Sequence, residues 1–218
     1  IIKLIKDANK QYYNFDNPIM TDSEYDILKE ELENRDPNNK LLTQIADETH
    51  SKNKVKLPFH MGSMDKMKPG SGSIDRWLNK YKGPYILSDK LDGTSALLIL
   101  REDNKNMLFT RGNGTIGTDI SSMLTDIKGI PNVKMNIVVR GELLVSNSIF
   151  EENKDTYVNA RAMINGLVGK KKISKKELQN ITFVSYEIVE PYDIQSNQFK
   201  LLKKLKFEVV SNKELKTI

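Results

Sequence analysis

The sequence predicts an α+β chain, a small helical piece followed by a larger domain built on antiparallel sheets. Three observations carry that expectation. Apolar positions keep a helical spacing through the first ~50 residues. From about residue 84, short apolar runs bounded by turn residues take over. Helical stretches then interrupt those runs without a regular strand–helix–strand alternation.

In chain order, Thr21-Asp22-Ser23-Glu24 has the spacing of a capping box, and Tyr25, Leu28 and Leu32 follow at i, i+3 and i+7. A helix is therefore predicted from about 22 to 34. Asp36-Pro37-Asn38-Asn39 ends it, and Thr49 to Lys56 reads as a polar connection. Pro69-Gly70-Ser71-Gly72 is a loop, after which Ser73 ahead of Ile74, Trp77, Leu78 and Tyr81 signals another short helix. Strands are predicted at Tyr85–Leu87, Ala96–Leu100, Met107–Thr110, Ile137–Val145 and Thr182–Val189. Helices are predicted at Asn159–Val168 and at Asn197–Leu205, the latter with Phe199, Leu202 and Leu205 inward. There is no internal repeat and no low-complexity tract. The boundary is expected near residues 50–60, dividing the chain into 1–55 and 56–218.

With 218 residues, 38% hydrophobic and 29% charged, the chain can build a sizeable core under a solvated surface. No apolar run approaches the ~18 residues of a membrane span. The chain has no cysteine, which excludes disulfides, thiolate metal sites and cysteine nucleophiles together. The two histidines, His50 and His60, cannot form a histidine-rich metal site and read as surface or packing residues; no metal-ligating set is expected. The Ile1–Ile5 start has the form of neither a signal nor a transit peptide, and without an initiator methionine the chain is expected to begin inside a longer protein. A reducing, intracellular (cytoplasmic) home is expected. The net charge is +5, from six arginines and 28 lysines against 29 acids. Lysine holds phosphate as a point charge, so the surplus suits attraction to a polyanion more than sequence reading.

Lys90-Leu91-Asp92-Gly93 lies between two predicted strands, which projects the lysine from a strand end with an aspartate on the same side. A lysine amine becomes a nucleophile where burial or nearby positive charge lowers its pKa, and glycine lets a ligand approach the backbone. Taken alone, the tetrapeptide reads more simply as a surface turn. Thr110-Arg111-Gly112-Asn113-Gly114 ends a strand in a glycine-rich turn, offering a guanidinium and free amides to a phosphate or ribose. Arg140-Gly141-Glu142 puts charge inside an apolar strand, where both groups need partners or a ligand. A hairpin turn or an edge salt bridge explains either motif singly, but not three strand-end motifs in one domain. The cluster Lys170, Lys171, Lys172, Lys175 and Lys176 reads equally as a DNA-backbone track or as a solvated turn and helix start.

Taken in order, Lys90-Leu91-Asp92-Gly93, Thr110 to Gly114, Arg140-Gly141-Glu142, Asn159-Ala160-Arg161 and Phe183-Val184-Ser185-Tyr186 resemble the nucleotidyltransferase (adenylation) domain of NAD-dependent DNA ligases. Tyr12-Tyr13 with Asp22-Ser23-Glu24-Tyr25-Asp26 resembles the small helical domain that binds the nicotinamide mononucleotide (NMN) half. Lys-x-Asp-Gly is shared with ATP-dependent ligases, RNA ligases and capping enzymes, whereas the N-terminal motif is more discriminating. The resemblance implies an ATP-grasp-like ligase and capping-enzyme fold. It also implies NAD and Mg²⁺ as cofactors, nicked duplex DNA as partner of the full-length protein, a monomer, and work in DNA replication and repair.

By the same resemblance Lys90 is the lysine that becomes adenylylated, with Asp92 completing its motif. Ser63, Met64, Ser88, Arg111, Glu142 and Tyr186 fall at nucleotide-contacting positions, and Arg161 at a phosphate or DNA contact, with Lys170, Lys171 and Lys172 nearby. Tyr12, Tyr13, Asp22, Ser23, Glu24, Tyr25 and Asp26 form the NMN-binding face; a single turn separates Asp22 from Tyr25 and Asp26.

There are departures. Ser88, with Asp89 beside it, stands where the family carries a glutamate that reads adenine. Tyr13 replaces a histidine, Asn113 an aspartate, and Gly169 an arginine. An Asp-Gly-plus-lysine motif and a final lysine motif are expected beyond Ile218, making the second domain C-terminally incomplete. The other readings are an ATP- or GTP-using nucleotidyltransferase and a degenerate nucleotide- or DNA-binding module.

Overall fold

The computed structural model describes residues 1–15, 19–43, 53–67, 70–170 and 172–216. Its helical N-terminal part comprises α1 (Ile2–Phe15), α2 (Asp22–Arg35) and the single turn α3 (Lys40–Thr43). Ile5, Ala8 and Asn9 fall on one stripe of α1 and are buried, as is Leu32 on α2. The capping box forms as its spacing predicts: the Glu24 N–H donates to Thr21 Oγ1, and the Glu24 carboxylate accepts from the Thr21 N–H at 2.7 Å. α2 ends at Arg35, immediately before Asp36-Pro37.

The rest of the chain runs β1 (Lys54–Lys56), α4 (Ser73–Lys80), β2 (Tyr85–Ser88), β3 (Thr94–Leu100), β4 (Met107–Thr110), β5 (Ile116–Thr118), β6 (Ile137–Val145), α5 (Asn147–Glu151), α6 (Ala160–Val168), α7 (Lys175–Leu178), β7 (Ile181–Glu190), α8 (Gln195–Lys204) and β8 (Asn212–Leu215). The main sheet has four antiparallel strands in the order β4-β3-β6-β7, and two ribbons pair β1 with β5 and β2 with β8. The mixed architecture with antiparallel sheets is the predicted one.

Alternation along β3 divides its residues between the two faces of the sheet. Ala96, Leu98 and Leu100 join the larger core, which includes Met163, Ile164 and Leu167 of α6 and Phe199 and Leu202 of α8. Leu97 and Ile99 face the other way, with Phe109 and Val138, and are covered by Leu57 and Met61. Across the strands, Leu97 pairs with Arg140 and Ser95 with Glu142, so this second face turns from apolar to polar toward the start of β3. The free edge of β7 is closed by neighbouring backbone: Ser185 N–H donates to Glu208 O and Phe183 N–H to Lys128 O, both at 2.8 Å.

Three strands depart from the expectation. β1 lies in the stretch read as a polar connection, while β5 and β8 were not predicted. Each has only three or four residues and exists through its partner, β1 matching Lys54 to Thr118 and β8 matching Leu215 to Tyr85. Nor does Ser73 cap α4. Gly72, in the left-handed region at φ 66°, precedes the helix, and the Ser73 hydroxyl lies 2.7 Å from that of Ser71.

Candidate functional site

β2 and β3 are joined by residues 89–93, which carry Lys90 and Asp92, both exposed, with Leu91 turned inward to the core. The Lys90 side chain stands at the surface. α6 fixes the segment that carries it. Arg161, one residue into the helix, bonds Asp92 at 2.5 Å, and Asn165, one turn further, accepts from the Thr94 hydroxyl at 2.6 Å. Asn159 caps α6 by accepting from the Ala162 N–H, which sets where Arg161 falls.

Glu142 is only 6% exposed. Its carboxylate accepts from the Gly93 N–H at 3.2 Å and the Ser95 hydroxyl at 2.9 Å, one bond to each oxygen. Burial raises its pKa above the usual carboxylate value, opposed by those two bonds and by the positive charges of Arg161 and Lys90. Tyr186 belongs to the same group. Burial, then the Glu142 charge, pushes its hydroxyl up to about 12, opposed by a hydrogen bond with Ser95.

Strand irregularity helps to place that tyrosine. β6 and β7 pair Arg140 with Glu187 and Gly141 with Ser185, leaving Tyr186 as the extra residue of a bulge. A bulge re-aims a side chain that a regular ladder would alternate away. The Gln195 amide of α8 donates to Tyr186 O at 2.7 Å, and the Gln198 carbonyl accepts from the Ile188 N–H at 2.8 Å.

One expectation gains a second cause here and another is corrected. Gly93 is required by the protein itself: a Cβ there would come within 2.1 Å of the Leu143 carbonyl oxygen. The N–H groups of Arg111, Asn113 and Gly114 in the Arg111–Gly114 turn are also not free for a ligand, the first donating to Ser95 O. Asn113 N–H donates to Ile116 O and Gly114 N–H to Arg111 O, while the Asn113 side chain accepts from the N–H groups of Thr115 and Ile116. The turn uses them to close its own hairpin. The half-buried Arg111 side chain is the charged group the turn can offer a ligand.

Other sequence-predicted residues are placed as follows. Ser63 and Met64 are exposed on the stretch after Met61, and Ser88 and Asp89 are exposed at the end of β2. Glu24 is engaged in the α2 cap, and the Tyr25 hydroxyl donates to Asn9 Oδ1 at 2.7 Å, tying α2 to α1. The side chains of Tyr12, Tyr13, Asp22, Ser23 and Asp26 lie outside the described part of the structure, as do Lys171 and His50. Lys170 bonds Glu177 at 2.7 Å and Lys172 is exposed, so the lysine cluster includes the helix start that was one of its two readings. His60 is exposed, and its backbone carbonyl accepts from Arg140.

The sequence reading missed Ser95, Asn165 and Asn9. Ser95 was legible as the partner of Glu142 only through the β3–β6 register. Asn165 follows Arg161 by four residues, a helical spacing that puts both on the side facing residues 92–94.

Among the described residues, no helix is long and apolar enough to cross a membrane, and no three His, Asp or Glu side chains gather to hold a metal ion. Comparison with known proteins shows the family. Residues 63–217 match the model of the NAD-dependent DNA ligase adenylation domain, and residues 1–42 match that of the DNA ligase-like, N-terminal NAD+-binding domain. A DNA ligase of Acanthamoeba polyphaga mimivirus is 39% identical over 209 residues, covering 93% of this chain and 32% of the relative. A DNA ligase of Clostridioides difficile strain 630 is 30% identical over 237 residues, covering 96% of this chain and 35% of its own. This chain thus spans about a third of the length of these curated relatives. The adenylation-domain match takes in both the Lys90 segment and the strands holding Glu142 and Tyr186, and the chain belongs to the NAD-dependent DNA ligase family.

Proposed function

We propose that the chain carries out the first step of DNA ligation, with Lys90 as the nucleophile. The observation that supports this is an exposed Lys90 whose charge acts on the buried Glu142 of the Glu142, Ser95 and Tyr186 group, on a segment held by Arg161 and Asn165. The deprotonated Nζ attacks the α-phosphorus of NAD. A nitrogen–phosphorus bond forms, the phosphorus–oxygen bond of the pyrophosphate breaks, and NMN leaves with the bridging oxygen. Lys90 loses its proton to solvent and holds AMP as a phosphoramidate. Tyr186 stacks on adenine and Glu142 accepts from the ribose. Arg111 and Arg161 balance charge that builds on the phosphates. Ser63, Met64 and Ser88 flank the nucleotide.

On this reading residues 1–55 bind the NMN half and residues 56–218 form the nucleotidyltransferase domain, with the ATP-grasp-like ligase fold. The tyrosines at 12, 13 and 25 offer aromatic surface to nicotinamide, and Asp22 and Asp26 offer negative charge to its ring. The pyrophosphate leaving group of ATP would meet those carboxylates as a like charge, which favours NAD. Mg²⁺ finds no protein cage among the described residues and enters with the phosphates, which it helps to neutralise. In the whole protein the adenylate then passes to the 5′-phosphate of a nick in duplex DNA, in replication and repair. Lys170, Lys171 and Lys172 lie along the DNA backbone.

Incubation with NAD and Mg²⁺ followed by peptide mass spectrometry tests this. One adenylate is expected on Lys90 and none in Lys90→Ala, with NAD and not ATP as donor. An adduct on another lysine overturns the assignment.

A further inference from the structure

Arg140 has no role in the chemistry above, yet it sits on the same face of β6 as Glu142, two residues away, in a strand otherwise apolar as far as Val139. A guanidinium in that setting is costly unless its donors are used. Two are. Nη1 bonds the Glu187 carboxylate at 2.8 Å, and Nη2 donates to the His60 carbonyl at 2.5 Å. Glu187 is the neighbour of the bulged Tyr186. His60 belongs to the segment that covers the apolar half of the sheet face, where Leu57 N–H donates to Thr115 O and Met61 N–H to Gly114 O, both at 2.8 Å. Met61 is 2% exposed, whereas Met64, three residues on, is 72% exposed. The grip at His60 and Met61 is thus the anchor from which residues 62–64 leave the sheet, within a span of about 10 Å.

We infer that Arg140 is a positioning residue that joins the Ser63–Met64 segment to the strands carrying Glu142 and Tyr186, so that the nucleotide meets both at a fixed separation. The inference rests on the reading that this end of the sheet receives NAD. It depends on the fork of the guanidinium: a lysine at 140 can keep the ion pair with Glu187 but cannot also span to the His60 carbonyl.

The test uses Arg140→Lys and Glu187→Gln, with single-turnover formation of the lysyl-adenylate measured against NAD concentration, NAD binding by calorimetry, and thermal melting. Arg140→Lys is expected to raise the half-saturating NAD concentration and the dissociation constant about tenfold, with the limiting rate within about twofold and little change in melting. Glu187→Gln, which retains an acceptor for Nη1 and leaves the His60 bond intact, is expected to change affinity by less than about threefold. The inference is overturned if Arg140→Lys leaves affinity unchanged, if Glu187→Gln weakens it equally, or if affinity, rate and melting all fall together. A wild-type chain that binds NAD, binds it more weakly with lysine at 140, and yet forms no lysyl-adenylate upholds the inference and overturns the proposed chemistry. A wild-type chain that does not bind NAD overturns both.

Discussion

Two halves of one sheet face, made by the same strands, have opposite characters. In the half covered by Leu57 and Met61, the residues of β3, β4 and β6 are Leu97, Ile99, Phe109 and Val138, all buried. In the half near the start of β3 the positions continue as Ser95 and Glu142, with Tyr186 bulged in from β7. Arg140 stands at the seam, pairing across to Leu97 yet bonding Glu187 and His60. The difference shows how a sheet makes a site without changing its backbone. Two cross-strand positions exchange apolar for polar side chains, and the covering segment stops at Met61 instead of continuing. The covered half contributes stability by apolar burial; the polar half, with a buried carboxylate, contributes little, and on the proposed function it is kept for binding the nucleotide.

The sharpest way to break that division is to truncate one residue in each half. Leu97→Ala removes a fully buried side chain and is expected to cost about 2–5 kcal/mol in chemical denaturation. Ser95→Ala removes one hydrogen bond to Glu142 and is expected to cost about 1–2 kcal/mol, while weakening NAD binding more than Leu97→Ala does under conditions where both are folded. If Ser95→Ala is the more destabilising change, the polar half is structural and the division is wrong.

What could be read from the sequence follows the same line. The long apolar run Ile137–Val145 names its strand residue for residue, because burial on both faces of a central strand leaves a continuous signal. The three-residue strand Lys54–Lys56 carries one apolar residue and no such signal; its ladder is dictated by Ile116–Thr118, sixty residues away in the chain. In the site, Lys90, Asp92 and Glu142 stood out because charge beside apolar strands is conspicuous, whereas Arg161, on a helix, was picked out by the family resemblance alone. Ser95 and Asn165 did not, because a hydroxyl or an amide gains its meaning from the partner that the register supplies. The glycines were legible in kind but not in cause. Gly141 is required because a Cβ would fall 2.4 Å from the Phe183 ring, a contact between β6 and β7 that no local pattern announces.

A smaller effect sharpens the polar side of the comparison. Burial raises the pKa of Glu142, so the folded state holds its proton more tightly than the unfolded chain does. The stability this contributes is full below the ordinary value of 4.5 and is lost as pH climbs through the raised value. Glu142→Gln does not titrate. Its melting temperature relative to wild type is therefore expected to rise across that interval and then level off at neutral pH. A difference that stays flat with pH would mean that Gly93, Ser95, Arg161 and Lys90 fully compensate the buried charge.

The smallest effect lies away from the sheet, at Glu177, and has the opposite sign. This carboxylate accepts from the Lys170 ammonium, the Ser174 hydroxyl and the Ser174 N–H at 2.7, 2.7 and 2.9 Å, which together lower its pKa to about 2. Its folded value is depressed from 4.5, so its contribution is present above 4.5 and is lost as pH falls toward about 2. Lys170 is exposed and Glu177 partly so, so water and salt screen the pair and the contribution is small. Glu177→Gln is expected to flatten the acid limb of the melting profile slightly at low salt, and to do nothing measurable at high salt. The comparison with Glu142 is direct: one carboxylate gains partners without losing water, and the other loses water faster than partners replace it. If Glu177→Gln shifts the melting temperature as much as Glu142→Gln, and does so at high salt, then burial is not what separates the two carboxylates.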